Sequence, residues 1–276
     1  MENLIKPPVK LGAFFILILV FSGCSKLETI FYPNKEKPFQ SEITSEDYIA
    51  QINHQGEIFL SQNKRKNLRV SRRTKEYFSS LVLKIKSANE KYFEGQVTDF
   101  SLHVLREKTP YYFALPNGKI VLSSGIIKKY IDNEALLAVL IAKLVYISAK
   151  KIYVKKISVP RGTISTIEMM KIVDLPLDVR GEVNKWTFHL MTRAGLDGLA
   201  VLNWIQIQNK NILDFSMMYK DLNLISREEF EFKNFMAMKK DRSFLEKSMN
   251  SSKAFYAFKK EMNKNGTIVP IRRTSY

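Results

Sequence analysis

One cysteine and three histidines are the whole supply of thiol and imidazole ligands in this chain of 276 residues. A disulfide within the chain is excluded, and so is a zinc cluster built on cysteines. His54, His103 and His189 stand far apart in sequence, which leaves any His-rich metal site short of ligands. Acidic side chains are also scarce: 27 Asp and Glu stand against 44 Lys and Arg, a formal net charge of +17. Beyond the N-terminal segment there is no run of about 20 apolar residues, so a polytopic membrane protein is excluded. Neither a G-x-S-x-G nucleophile elbow nor a phosphate-binding G-x-x-x-x-G-K-[ST] loop occurs. What is abundant is core material. At 45% hydrophobic and 12% aromatic the chain can bury a sizeable interior, which rules out a wholly disordered protein.

The N-terminus reads as a targeting segment. Lys6 and Lys10 precede the apolar stretch Leu11–Gly23, which is too short to span a bilayer comfortably. The single cysteine, Cys24, follows Phe21, Ser22 and Gly23 directly. That arrangement resembles a bacterial lipobox, in which small residues admit the signal peptidase and the thiol is acylated. Residues 1–23 are then a signal peptide, and Cys24 is the lipid attachment site, a membrane anchor of acyl chains such as palmitate. The resemblance to bacterial lipoproteins, with Ser25 in the next position, implies the outer membrane and a protein facing the periplasm. Residues 24–43, with Pro33 and Pro38, form a tether.

Residues 44–262 are expected to form a single domain, with a loosely ordered tail at 263–276. The capping-box sequence from Thr44 to Asp47 opens a helix through Leu60. A second helix over 74–88 carries Tyr77, Phe78, Leu81, Val82 and Ile85 on one stripe. Phe100, Leu102 and Val104 then alternate as in a strand. Asn117-Gly118 between β-rich runs is a hairpin signal, because both residues tolerate positive φ. Asn133 caps a nearly all-apolar helix through Tyr153, and a second core helix runs over 179–194 to a terminal Gly195. Asp197 begins a third through Trp204, and further helices lie around 227–240 and 244–260, with a loop at 155–164. Glu228, Glu229 and Glu231 read as a solvated helix face. The class is α+β, a mainly helical body with a small antiparallel sheet on a hairpin at 111–123.

Three pieces in this order resemble one family. Residues 112–125 (YFALPNGKIVLSSG) are similar to N-A-F-A-L-P-G-G-x-I-x-V-x-x-G, residues 132–140 (DNEALLAVL) to D-E-x-E-L-A-A-V-L, and residues 182–197 (EVNKWTFHLMTRAGLD) to E-A-D-x-x-G-x-x-L-M-A-R-A-G-Y-D. These are patterns of the zinc metallopeptidases that include the CAAX prenyl endopeptidases, the mitochondrial Oma-type protease and periplasmic lipoprotein peptidases (metallopeptidase family forty-eight). The likeness is good over about 100–204 and weak outside. It implies a zincin-like body and a cleft that accepts an extended peptide along an edge strand.

The same resemblance implies a missing active site. Such enzymes need H-E-x-x-H on one helix, where two imidazoles bind zinc and the glutamate is the general base. Ala142 and Tyr146 stand where the histidines belong, and Lys143 stands where the base belongs. Glu182 remains at the third-ligand position, and Asn184 replaces the aspartate expected two residues later. Alanine has no donor atom, a neutral phenol is a poor zinc ligand, and lysine repels a dication by several kcal/mol at about 4 Å. His189 as a rescue ligand is weaker than its reading as an ordinary helical histidine. Zinc is therefore expected to be lost, with no catalytic or cofactor residue. Glu182 needs another partner, and Lys143 and Tyr146 are the expected ones. The alternative is that Glu182 turns to solvent while Lys143 snorkels.

The functional expectation is a lipid-anchored pseudo-peptidase of the bacterial envelope that binds envelope proteins or peptides, as a scaffold or in quality control. The alternatives are an active zinc metalloendopeptidase with a displaced site, and a basic lipoprotein that binds surfaces. The run Lys64–Lys75 and the group Lys150, Lys151, Lys155 and Lys156 suit anionic lipid or wall polymer. Nucleic acid is not expected in that compartment.

Overall fold

The computed structural model describes residues 46–96, 99–154, 162–219, 221–239 and 250–265. The signal segment, Cys24 and the tether lie outside the described residues, as do Thr44, Lys155, Lys156 and most of the expected tail. Ten helices are described: α1 (Glu46–Gln62), α2 (Arg72–Ser87), α3 (Glu90–Phe93), α4 (Ser124–Tyr130), α5 (Glu134–Ala149), α6 (Thr166–Val173), α7 (Leu177–Arg193), α8 (Ala200–Lys210), α9 (Asn223–Ala237) and α10 (Lys253–Asn265). The strands are β1 (Ser101–Leu105), β2 (Tyr112–Ala114) and β3 (Lys119–Ser123). The class is α+β, mostly helical. No described helix is long and apolar enough to cross a membrane.

The sheet is mixed rather than antiparallel, in the order β1-β3-β2. The hairpin forms, with Phe113 opposite Val121. β1 lies on the far side of β3 and runs parallel to it, because the link from β1 to β2 carries the chain past β3's place in the sheet. The turn also differs from a two-residue primed turn. Gly118 alone has positive φ, at 85°, and its amide donates to the Leu115 carbonyl. Pro116 at the second turn position presets that geometry.

α5 is the centre of the body. Asn133 caps it by accepting from the Leu136 amide at 3.0 Å. Every residue from Leu136 to Ala149 is buried, so the helix needs partners on all sides. It packs on α7, α8, α2 and the sheet. The helix ends at Ala149, short of Tyr153, because Lys151 turns to φ 51° and the Ile152 amide donates back to the Ile147 carbonyl. α7 ends as its sequence indicates, with Gly195 at φ 65°. The expected helices over 197–204 and 227–240 are displaced to α8 and α9.

Two further elements depart from expectation. α6 was hidden beside an expected loop, although Ser165 and Glu168 form a capping box in S-T-I-E. The helix expected over 244–260 is α10, which starts only at Lys253 and extends through Asn265, while 244–249 lie outside the described residues. It docks on the start of α2, where Glu261 accepts from the Ser71 amide at 2.6 Å and the Thr74 hydroxyl at 2.5 Å.

Candidate functional site

Lys143 is the one charged residue of α5 between Glu134 and Lys150, and its side chain is only 5% exposed. A cation in such a helix must find hydrogen bonds and counter-charge inside the body. It finds both. Its Nζ donates to Asn184 Oδ1 at 2.9 Å, and Asn184 Nδ2 donates to Glu228 Oε1 at 2.5 Å. Lys143 Nζ itself stands 3.8 Å from Glu228 Oε1, and Arg180 Nε stands 3.8 Å from Glu228 Oε2. Asn184 is thus a neutral bridge between an ammonium and a carboxylate, on helices α5, α7 and α9.

Helical phase explains the grouping. Arg180 and Asn184 are four residues apart on α7 and share a face, whereas Glu182 is displaced by two residues, about 200° around the axis. On α9 the buried residues are Ile225, Glu228 and Phe232, an inward stripe that includes the acid. Glu228 is therefore 1% exposed, and the expectation of a solvated acidic face fails for it. Glu229 is largely covered as well, its side chain 14% exposed, and it accepts from Lys233 and from Asn209 at 2.6 Å each.

Glu182 corrects the sequence reading most directly. It faces outward with its side chain 43% exposed and pairs with Lys185 at 2.6 Å on its own helix. Lys143 does not reach it and does not snorkel. Tyr146 stacks its ring on Trp186, with centroids 5.7 Å apart and planes 22° apart. Burial pushes the Tyr146 hydroxyl well above the ordinary phenol range, with a smaller push from the Glu182 charge. Ala142 is wholly buried. The structure thus brings Lys143 and Asn184 together, leaves Glu182 outside, and adds Arg180 and Glu228, which the sequence reading missed.

Beyond Arg180 a line of aromatic and amide groups continues. The guanidinium lies over the Tyr219 ring, 4.5 Å from its centroid. Gln208 Nε2 donates to the Tyr219 hydroxyl at 2.6 Å and lies 3.3 Å from the Tyr112 hydroxyl, which also accepts from Trp204 Nε1 at 3.3 Å. Burial raises the Tyr219 hydroxyl far above its usual range. Arg180 Nε and Nη1 and Glu228 Oε2 are buried with no hydrogen-bond partner among the described residues.

Lys143, Arg180, Tyr112 and Tyr219 line a cavity of about 60 Å³ between β2, α5, α6 and the turn at Ser216–Met218. β2 is one of the two edge strands of the sheet. Tyr111 and Leu115 bond to β3, so by alternation Ala114 aims its carbonyl away from β3. That carbonyl accepts from the Tyr153 hydroxyl at 2.8 Å.

Zinc does not fit these residues. Ala142 offers no donor and Tyr146 is stacked on Trp186. The Lys143 ammonium occupies the space, and a dication about 4 Å from it is repelled by roughly 8 kcal/mol at an effective dielectric near 20. Among the described residues no three His, Cys, Asp or Glu side chains converge.

His189 sits apart, ringed by Trp186, Phe188 and Phe235, with Lys239 Nζ 3.4 Å from its Nε2. Burial first, then Lys239 and Arg193, holds its pKa down to about 4. The native state therefore binds fewer protons than an unfolded chain, whose histidine titrates near 6.5. His189 supports stability fully above about pH 6.5, and that support is lost as pH falls towards 4. Urea titrations across this window should show the parent losing stability relative to His189→Phe. Parallel curves would exclude the effect.

A scan against protein-family models finds no match for this chain, and a search of curated proteins finds none.

Proposed function

We propose that the chain is a lipid-anchored, non-proteolytic, metallopeptidase-like protein of the bacterial envelope whose cleft binds a peptide. The observation that carries this reading is a buried network of Lys143, Asn184, Glu228 and Arg180 on the helices to which the resemblance assigns the metal site. Its charges repel the dication that peptide hydrolysis of this type requires. The cavity beside the network lies against the edge strand, where the resembled family holds its substrate, so binding is the activity such a cleft retains. The basic residues Lys64, Arg65, Arg69, Arg73 and Lys75 are all exposed. They suit an anionic membrane surface beside an acyl anchor at Cys24.

The purified mature protein is expected to show no zinc in stoichiometric amount and no chelator-sensitive cleavage of casein. Finding both would overturn the reading. Labelling with a radioactive fatty acid should mark the parent and not Cys24→Ser, and equal labelling would remove the anchor from the proposal.

A further inference from the structure

We propose that the cavity beside β2 receives a carboxylate carried by the end of a peptide, and that Arg180 is its principal binding group with Lys143 in support. The inference rests on the peptide-binding reading above and names the ligand chemistry.

Three observations carry it. The first is an unused donor set. The Arg180 side chain is 7% exposed, and its Nε and Nη1 have no hydrogen-bond partner among the described residues. A buried guanidinium without acceptors is costly, and burial is tolerated where an acceptor completes it. Glu228 does not do so: its Oε2 approaches only to 3.8 Å, and its Oε1 takes the Asn184 amide. The second is preorganisation. Tyr219 covers one face of the guanidinium at 4.5 Å, which holds it flat at the cavity wall with little rotamer freedom left to lose.

The third is shape. A chain passing through the cleft by strand addition would need the free edge of β2, and Tyr153 already holds the Ala114 carbonyl there. A cavity of about 60 Å³ has room for a carboxylate and a small group, but not for a continuous strand. It therefore suits a chain end. Its walls beyond the cations include Met170, Leu175 and Met218, which favour an apolar last side chain.

A terminal carboxylate and the carboxylate of a glutamate near the end offer the same chemistry, so the test must separate them. Full-length protein in detergent is titrated with a fluorescent apolar hexapeptide in three forms: free at its C-terminus, amidated, and amidated with glutamate at the last position. Fluorescence anisotropy is expected to show the free acid binding roughly 10- to 100-fold tighter than the plain amide. Arg180→Gln should bring the two together. Met218→Trp, which fills the cavity without touching the charged network, should weaken the free acid and leave the fold intact by circular dichroism. Recovery of affinity by the glutamate form would assign the site to carboxylates in general, and its failure would assign it to the chain terminus. Equal binding of free acid and amide to the parent would overturn the carboxylate site and leave peptide binding standing, with water filling the gap between Arg180 and Glu228. Failure of all three peptides to bind would overturn both.

Discussion

Replacing Glu228 by leucine is expected to lower the unfolding free energy by about 3–5 kcal/mol, because it strands two buried cations. Lys143 and Arg180 both face this carboxylate at 3.8 Å, and Asn184 loses the acceptor for its amide. The cost should be recovered mostly by removing the whole polar set together, as Lys143→Met, Arg180→Met, Asn184→Leu and Glu228→Leu, since an apolar set of similar volume needs no desolvation of ions and leaves no buried amide unpaired. Glu182→Ala is the control. Its pair with Lys185 is exposed on both sides and contributes about 0.5 kcal/mol or less. Urea unfolding of the four proteins decides the matter. A Glu228→Leu variant as stable as the parent would mean that the network does not hold the helices together.

Gly125→Ala is expected to be as damaging for a different reason. A Cβ there would lie 2.1 Å from the Lys108 carbonyl oxygen and 2.6 Å from its carbonyl carbon. The obstacle is backbone, so no rotamer change relieves it. That backbone is also tied down: the Gly125 amide donates to the Glu107 carbonyl at 2.8 Å, and the Ser124 hydroxyl donates to the same oxygen at 3.1 Å. Making room separates α4 from the loop before β2 and breaks these bonds. The cost should reach or exceed the roughly 3 kcal/mol upper end of ordinary overpacking. Loss of soluble protein, or a large fall in the urea midpoint, is the expected result. A midpoint close to the parent's would show that the loop at 107–108 yields easily.

Local signals carried much of the fold. Asn133 announced α5, the apolar run from Leu136 announced its burial, and Gly195 marked the end of α7. The stripe Tyr77 to Ile85 named the inward face of α2. Ser165 and Glu168 carry the same kind of signal for α6, but the sequence reading misses it beside the basic, proline-containing stretch that reads as loop. Each is a short-range property of backbone and side chain, readable without knowing what lies opposite. The parallel pairing of β1 was not readable in this way, because strand order depends on where the chain returns.

The candidate site divides along the same line. The sequence alone determined that Lys143 stands inside an apolar helix and that the chain has only three imidazoles to offer. Which acid neutralises Lys143 was decided only in three dimensions. Glu182 was the candidate by motif, but it lies about 200° around α7 from the face that Arg180 and Asn184 share. The partner is Glu228, on a helix whose stripe Ile225, Glu228 and Phe232 looked polar from its neighbours Glu229 and Glu231. An isolated glutamate on such a stripe is costly to bury until cations meet it there. Periodicity shows which face of a helix turns inward, but the charge that face can tolerate is set by the helices packed against it.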